Sequence, residues 1–317
     1  MATQTSLETG LVVAGHGRHV WIETATGERV LCHPRGKKSQ AVVGDRVLWL
    51  PSKDEGTIER VVERTNLFYR QDEIRTKSFA ANLDQIVLLI AAEPEYSESQ
   101  LSRALIAAEA QQIRPIIVLN KSDLTVPFTQ AWERLGVYRA MGYQVIPLAI
   151  KPRQSGTSHS GTDLPHENLA VLESQLRGKV SLVLGPSGSG KSTLINRLVP
   201  LAKVLTNEIS MALNTGKHTT TSTSLYWVDR VQKTALIDSP GFQEFGLNHI
   251  EPMQLAGLMP DIHAHAGNCK FYNCTHLHEP GCGVIAATQS ASGPAPINER
   301  RYKLYGDFFA ELSEKRY

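Results

Sequence analysis

Cysteine is scarce: four residues in 317 are too few and too unevenly placed for a disulfide framework. Cys32 stands alone, whereas Cys269, Cys274 and Cys282 lie close together and enclose His276, a grouping that favours a metal site in a reducing compartment. An excess of charge of one sign is also missing. The 33 basic and 31 acidic residues leave a formal charge of +2, so a uniformly basic nucleic-acid binder is excluded and any such contact must come from a local patch. Long hydrophobic runs are absent too: no stretch approaches the roughly 20 residues that cross a bilayer, and no basic segment followed by an apolar one opens the chain. A cytoplasmic protein without a membrane partner is expected. Internal repeats are absent.

What is present is enough apolar sequence, 41%, to bury cores for two or three domains. From Gly10 to about Arg70 the pattern is short and strand-like, at Leu11–Val13, Val20–Ile22, Val30–Cys32, Val42–Val43, Val47–Trp49 and Ile58–Val62, with glycines in the connections. A small antiparallel barrel follows from that rhythm. Arg35-Gly36-Lys37-Lys38 falls between two of these strands, where it can face nucleic acid or be an ordinary solvated loop. The rhythm then becomes alternating α/β. A nearly continuous apolar run at Ile86–Ala91 precedes a helix with Leu101, Ala104, Leu105 and Ala108 on one side, and a strand at Ile116–Leu119 follows. Further elements are a helix around Ala131–Met141, a strand at Val145–Leu148, a polar connector at Lys151–Pro165, a helix near Asn168–Leu176 and a strand at Val180–Leu184. Leu225–Val228 and Thr234–Ile237 read as adjacent strands, and a terminal helix carries Tyr305, Phe308, Phe309 and Leu312.

The sharpest chemical signal is Gly185-Pro186-Ser187-Gly188-Ser189-Gly190-Lys191-Ser192, a complete phosphate loop between a strand and a helix, with Thr193 continuing into the first turn. Unpaired N–H groups at the helix start face phosphates, Lys191 supplies positive charge, and the Ser192 hydroxyl reaches Mg²⁺. Asp238-Ser239-Pro240-Gly241 closes a strand, as suits an aspartate holding Mg²⁺ through water and a glycine N–H that senses the terminal phosphate. Between them, the polar stretch Gly216–Thr221 can bring a hydroxyl such as that of Thr221 onto Mg²⁺, or be merely a flexible loop.

Asn120-Lys121-Ser122-Asp123 follows directly on a strand. Asp123 can accept from both N1–H and the exocyclic amine of guanine, and adenine offers the wrong pattern; Asn120 and Lys121 can position the neighbouring loops. Taken alone a chance turn explains four residues, but beside the other two elements the guanine reading prevails. Here base recognition precedes the phosphate loop, the reverse of the common order. Moving the termini to another exposed loop preserves both strand neighbours and site, so a circular permutation is physically acceptable. It also makes the segment after Asp238 lead almost directly into a C-terminal domain.

Cys269, Cys274, His276 and Cys282 supply three thiolates and an imidazole, a closed tetrahedral set for structural Zn²⁺; His263, His265 and His278 are alternative imidazoles.

The chain resembles the bacterial small-ribosomal-subunit-dependent GTPase family RsgA over nearly its whole length. The pieces that carry the likeness are RGKK at 35–38 with VVGD at 42–45, AANLDQ at 80–85, NKSD at 120–123, GPSGSGKSTLIN at 185–196, GKHTTT at 216–221, DSPGF at 238–242 and CKFYNCTHLHEPGCGV at 269–284. The resemblance implies an N-terminal OB-fold β barrel (1–75), a central α/β circularly permuted P-loop GTPase (76–246) and a C-terminal helical zinc-binding domain (247–317). It further implies a monomer that hydrolyses GTP to GDP with Mg²⁺ during late maturation of the small ribosomal subunit. That subunit and its rRNA would be the partners, stimulating hydrolysis that is coupled to release. Lys217 stands where arginine is common in the family, and Pro147-Leu148-Ala149 departs from its second base-contacting loop. Many GTPases have a water-orienting glutamine after the glycine of the DSPG element; this chain has Phe242, which cannot orient water through an amide. His218 can polarise water and the likeness makes it the candidate, the alternative being an RNA contact or support of the loop. Two rivals differ in class. A P-loop phosphotransferase would leave a phosphorylated small molecule, and a structural RNA-binding assembly factor would bind the subunit with little nucleotide turnover.

Overall fold

The computed structural model describes residues 6–16, 19–36, 41–52, 55–72, 76–150, 168–200, 202, 222–240, 242, 245–289 and 296–314. Five strands form the N-terminal barrel: β1 (Glu8–His16), β2 (His19–Thr24), β3 (Arg29–Pro34), β4 (Arg46–Leu50) and β5 (Gly56–Val61). They follow the order β1-β2-β3-β5-β4 and close through β4 back onto β1, an OB-type arrangement in which β3 and β5 run parallel. Val12, Val20, Ile22, Cys32, Val47, Trp49 and Ile58 fill the interior, as the alternating pattern requires. The expected strand at Val42–Val43 is instead a turn. Its polar groups are satisfied outside any strand ladder: Val42 N–H donates to the buried Asp45 carboxylate at 2.8 Å, and Val43 C=O accepts from the distant Ala81 N–H at 2.9 Å. Gly44 sits at φ +92°, where a Cβ would lie 2.1 Å from the Ala81 carbonyl oxygen.

A hairpin that the strand pattern does not anticipate, β6 (Leu67–Gln71) and β7 (Thr76–Ala81), leads into the second sheet region. There β8 (Gln85–Ala91), β9 (Arg114–Asn120), β10 (Gln144–Leu148), β11 (Val180–Leu184), β12 (Thr223–Asp229) and β13 (Thr234–Asp238) lie in the order β10-β9-β8-β11-β13-β12, all parallel except β12. Alternate residues of β8 enter different cores, Ile86, Leu88 and Ile90 on one face and Val87 and Leu89 on the other. Burial of both faces explains the unbroken apolar run. Helices α1 (Glu98–Ala110), α2 (Thr125–Arg134) and α3 (Gly136–Ala140) contribute to one core, and α4 (Leu169–Leu176) and α5 (Lys191–Leu198) cover the other. The single helix expected at Ala131–Met141 is thus two, which begin earlier and meet at the buried Leu135.

The barrel and the second sheet are continuous. β1 pairs with β12 through Ala14 opposite Ser224 and Gly15 opposite Thr223. Beside this seam the buried Glu23 of β2 accepts from Trp227 Nε1 at 2.9 Å and, in bidentate fashion, from Arg230 at 2.6 and 2.9 Å. Arg230 is half exposed, which screens the pair. Glu23→Ala should therefore lower stability by only roughly 1–3 kcal/mol, and thermal unfolding should show it together with faster proteolysis at the seam.

The C-terminal part comprises a 3-10 helix (Pro252–Leu258), α6 (Pro260–Ala266), α7 (Gly283–Gln289) and α8 (Glu299–Ser313). It packs against α1. Arg301, buried in α8, donates to the Asp261 carboxylate at 2.8 and 3.1 Å and to Ser102 Oγ of α1 at 2.7 Å. Arg103 of α1 reaches Glu311 at 2.8 Å and lies over the Phe308 ring. Among the described residues no helix is long and apolar enough to cross a membrane.

Candidate functional site

The carboxyl ends of β8, β9, β11 and β13 share one edge of the sheet, and the chain order reverses between β8 and β11: β8 continues to β9 on one side, β11 to β13 on the other. Such a switch point leaves a crevice above the strand ends, where ligands bind in open α/β sheets. The three sequence elements all emerge there: residues 120–123 from β9, 185–192 from β11 and 238–240 from β13. In the pairing of β11 with β13, Asp238 stands opposite Val183, two residues before the phosphate loop opens.

The loop has the build of a phosphate cradle. Gly185 admits no side chain, since a Cβ would lie 2.2 Å from Leu89 O and 2.7 Å from Ser189 Oγ. Gly188 and Gly190 have φ +79° and +101°, the left-handed region that only glycine enters freely. Ser189 N–H turns back to Pro186 O at 3.2 Å, and the first bond within α5 is Leu194 N–H to Gly190 O at 2.9 Å. The N–H groups of Lys191, Ser192 and Thr193 thus have no helical acceptor and open toward the crevice. Ser187 and Ser192 are exposed, and Ser189 is buried. Lys191 forms an ion pair with Asp238, both largely buried, so the loop's cation and the β13 carboxylate already face one another.

Asn120 joins the base element to this loop. Its Nδ2 donates to Ser189 O at 2.8 Å and its Oδ1 accepts from Ile150 N–H at 3.2 Å. A Cβ on Gly190 would sit 2.4 Å from that Nδ2. Lys121, at φ +66°, donates to Glu93 O, which ties the loop after β8 to the same edge. Among the described residues nothing hydrogen-bonds the half-buried Asp123 carboxylate, whereas Ser122 N–H is held by Leu148 O at 3.1 Å. The departing segment 148–150 thereby lies beside Asn120 and Ser122. Phe242 is buried in the core with Phe245, so its ring packs and cannot orient water. Lys37, Lys38, Lys217, His218, Thr221 and Gly241 lie outside the described residues.

Sequence reading missed the role of the β6–β7 hairpin. Phe68, Phe79 and Phe245 form an aromatic cluster with centroids 5.6–5.8 Å apart. Lys77 donates to Pro240 O at 2.7 Å, and Gln71 pairs with Leu247. Burial, and secondarily Arg70, lowers the Lys77 pKa.

The Cys/His cluster gathers as its spacing implies. The donor atoms of Cys269, Cys274, His276 and Cys282 lie within 4.8 Å of one another. His276 Nδ1 is 3.3 Å from Cys269 Sγ and 3.6 Å from Cys282 Sγ, and the two sulfurs are 3.7 Å apart. Tetrahedral bonds of about 2.3 Å to sulfur and 2.0–2.1 Å to nitrogen put ligands ~3.6–3.8 Å apart, so this donor set fits Zn²⁺. Burial, with the neighbouring sulfurs, pushes the Cys274 thiol up to about 12, and burial lowers His276, keeping its imidazole neutral. A buried thiol of that kind releases its proton to solvent readily only when a metal cation replaces it on the sulfur. The alternatives His263 and His278 are exposed outside the set, and His265 is not part of it. Around the cluster, Tyr302 and Tyr305 of α8 each donate at 2.8 Å, to His276 O and Thr275 O.

The family model described as RsgA GTPase matches residues 61–248. A protein of Variovorax paradoxus named small ribosomal subunit biogenesis GTPase RsgA is 67% identical over 311 residues, covering 98% of this chain and 94% of its own length. One of the same name from Ralstonia pickettii is 43% identical over 98% of this chain and 94% of its own. Among solved structures, YjeQ from Thermotoga maritima superposes with a TM-score of 0.70 at 30% identity, covering 98% of this chain and all of that one. YloQ, titled a circularly permuted GTPase, gives 0.69 at 26%, covering 100% of this chain and 99% of that one.

Proposed function

The chain belongs to the RsgA GTPase family, and on that premise we propose how its residues bind guanine nucleotide, hydrolyse GTP and link hydrolysis to the small ribosomal subunit. It is a GTP hydrolase acting in maturation of that subunit. The observation that carries the residue assignment is the convergence of three loops on one crevice, with Asn120 bonded to the phosphate loop.

The N–H groups of residues 185–193, Gly185 through Thr193 with Pro186 shaping the turn, wrap the phosphates. Lys191 exchanges its Asp238 partner for phosphate oxygens. Ser192, Thr221 and, through water, Asp238 would hold Mg²⁺, which would supply neutralisation of the phosphate charge. Gly241 N–H reads the γ-phosphate, and Asp123 pairs with the guanine edge while Lys121 and Asn120 shape its loop. Phe242 leaves water positioning to His218 or to a group fixed by the subunit, so turnover by the isolated chain is slow. Residues 1–75 and 247–317 contact rRNA, flanking a GTPase unit at 76–246 whose first boundary falls within the β6–β7 hairpin. The chain works as a monomer in the cytoplasm, engages the subunit with GTP bound and leaves with GDP. Zn²⁺ on Cys269, Cys274, His276 and Cys282 is structural, since four protein ligands leave no open position.

Asp123→Asn tests the site. Guanine would meet an amide donor where it needs an acceptor, so GTP and GDP affinity should fall roughly 30- to 5,000-fold, and preference should move to xanthine nucleotides. Unchanged nucleotide ranking in competitive binding would remove Asp123 from base recognition.

A further inference from the structure

Between the first two zinc-set cysteines lies a four-residue loop, Lys270-Phe271-Tyr272-Asn273. Its conformation is fixed at both ends. Cys269 and Cys274 belong to the metal set, and Lys270 N–H donates to Gly281 O at 3.0 Å. Yet its aromatic rings are left largely open: Phe271 is 41% exposed and Tyr272 fully so. A loop pinned at both ends that holds one ring wholly and a second partly in water presents them to something, because their burial against the adjacent core would otherwise stabilise the fold.

The charge around them narrows the partner. Segment 269–282 contains a single carboxylate, Glu279. That group is turned inward. It accepts from Thr275 N–H at 2.8 Å, Thr275 Oγ1 at 2.6 Å, and Leu277 and His278 N–H at 3.3 Å each. The segment therefore offers no second carboxylate, and the one it has is bonded within the loop. It shows Lys270, whose ammonium lies 5.6 Å from the Phe271 centroid, the two rings, and the exposed His278. A cation for a phosphate beside a ring for a base is the combination that binds unpaired nucleotides.

We infer that Tyr272, with Phe271 and Lys270, forms a stacking platform for an unpaired base of the small subunit's RNA. This rests on the functional reading above and names the contact made by the zinc-bearing part. Tyr272 is fully exposed, so its replacement leaves the metal set and the nucleotide crevice untouched.

The test is binding of the full-length chain to purified small subunits, alongside zinc content and GDP affinity, for the wild type and three Tyr272 variants. Tyr272→Ala and Tyr272→Leu should bind about 5- to 150-fold more weakly, the loss of one base–aromatic stack. Tyr272→Phe should bind as the wild type, and all should keep stoichiometric zinc and unchanged GDP affinity. Photocross-linking of the wild-type complex should join the peptide spanning residues 270–273 to RNA. Equal binding by all variants overturns the platform, and so does Tyr272→Leu binding like Tyr272→Phe, or a cross-link to ribosomal protein. A wild-type chain that binds no small subunit overturns the functional reading itself, a distinct result.

Discussion

Replacing Cys274 with serine should bring bound zinc from one ion per chain toward none and loosen residues near 265–285. Structural zinc contributes about 10–16 kcal/mol to such clusters, far more than a single hydrogen bond or surface ion pair supplies, and a neutral hydroxyl is a poor exchange for a thiolate. The loss should spread beyond the ligands. Thr275 and His276 present their carbonyls to Tyr305 and Tyr302, so once the cluster relaxes α8 loses two of its anchors. Its remaining hold on α1, through Arg301 and Arg103, should keep the helix docked while residues near 265–285 become open to protease. Metal analysis and limited proteolysis read both effects. Stoichiometric zinc with unchanged local protease resistance would rule out a structural zinc site.

The second large effect separates binding from chemistry. Lys191→Ala should weaken nucleotide binding and also slow the chemical step by roughly 10²–10³-fold, because on the proposed assignment this ammonium would meet both ground-state phosphate and the charge that develops in transfer. It would also leave Asp238, largely buried, without its partner. His218→Ala should behave differently: GTP affinity is kept, while turnover stimulated by the small subunit falls sharply. Equilibrium binding and single-turnover hydrolysis, measured separately on the two variants, give this contrast. Full stimulated turnover by His218→Ala while bound to the subunit would assign water positioning elsewhere.

Legibility in the sequence tracked how local each signal is. The phosphate loop could be read residue by residue because its glycines answer to local backbone demands, as the φ values of Gly188 and Gly190 show. The run at Ile86–Ala91 read as a buried strand because both its faces enter cores. The cysteines were equally plain, but the imidazole was not. Four histidines lie near the cluster in sequence, and only the fold, with His276 at φ +65°, singles one out. Val42–Val43 misled because β-branched residues suit a strand, whereas the segment's hydrogen bonds go to Asp45 in the same turn and to the distant Ala81. Likewise, the clasp of Lys77 on Pro240 and of Phe79 on Phe245 joins residues more than 160 positions apart, and no local pattern announces it. Asn120 gave up half its meaning to sequence: its place beside the base loop was readable, its bond to Ser189 was not.

That clasp gives the permuted order a physical use. The chain leaving Asp238 runs over the hairpin and directly into the 3-10 helix and the zinc-bearing part, so the nucleotide site and both flanking parts share a short stretch of backbone. The pairing of β1 with β12 makes a second connection, from the barrel to the strand that follows residues 216–221. A large particle that grips both flanking parts can in this way act on the loops around the nucleotide.

GTP turnover with and without saturating purified small subunits tests this coupling most directly, with subunit binding confirmed in parallel. Hydrolysis by the chain alone should be slow, the subunit should accelerate it by roughly 10²–10³-fold, and GDP and phosphate should be the only products. A rate that stays the same while the chain is fully bound to the subunit would contradict the coupling.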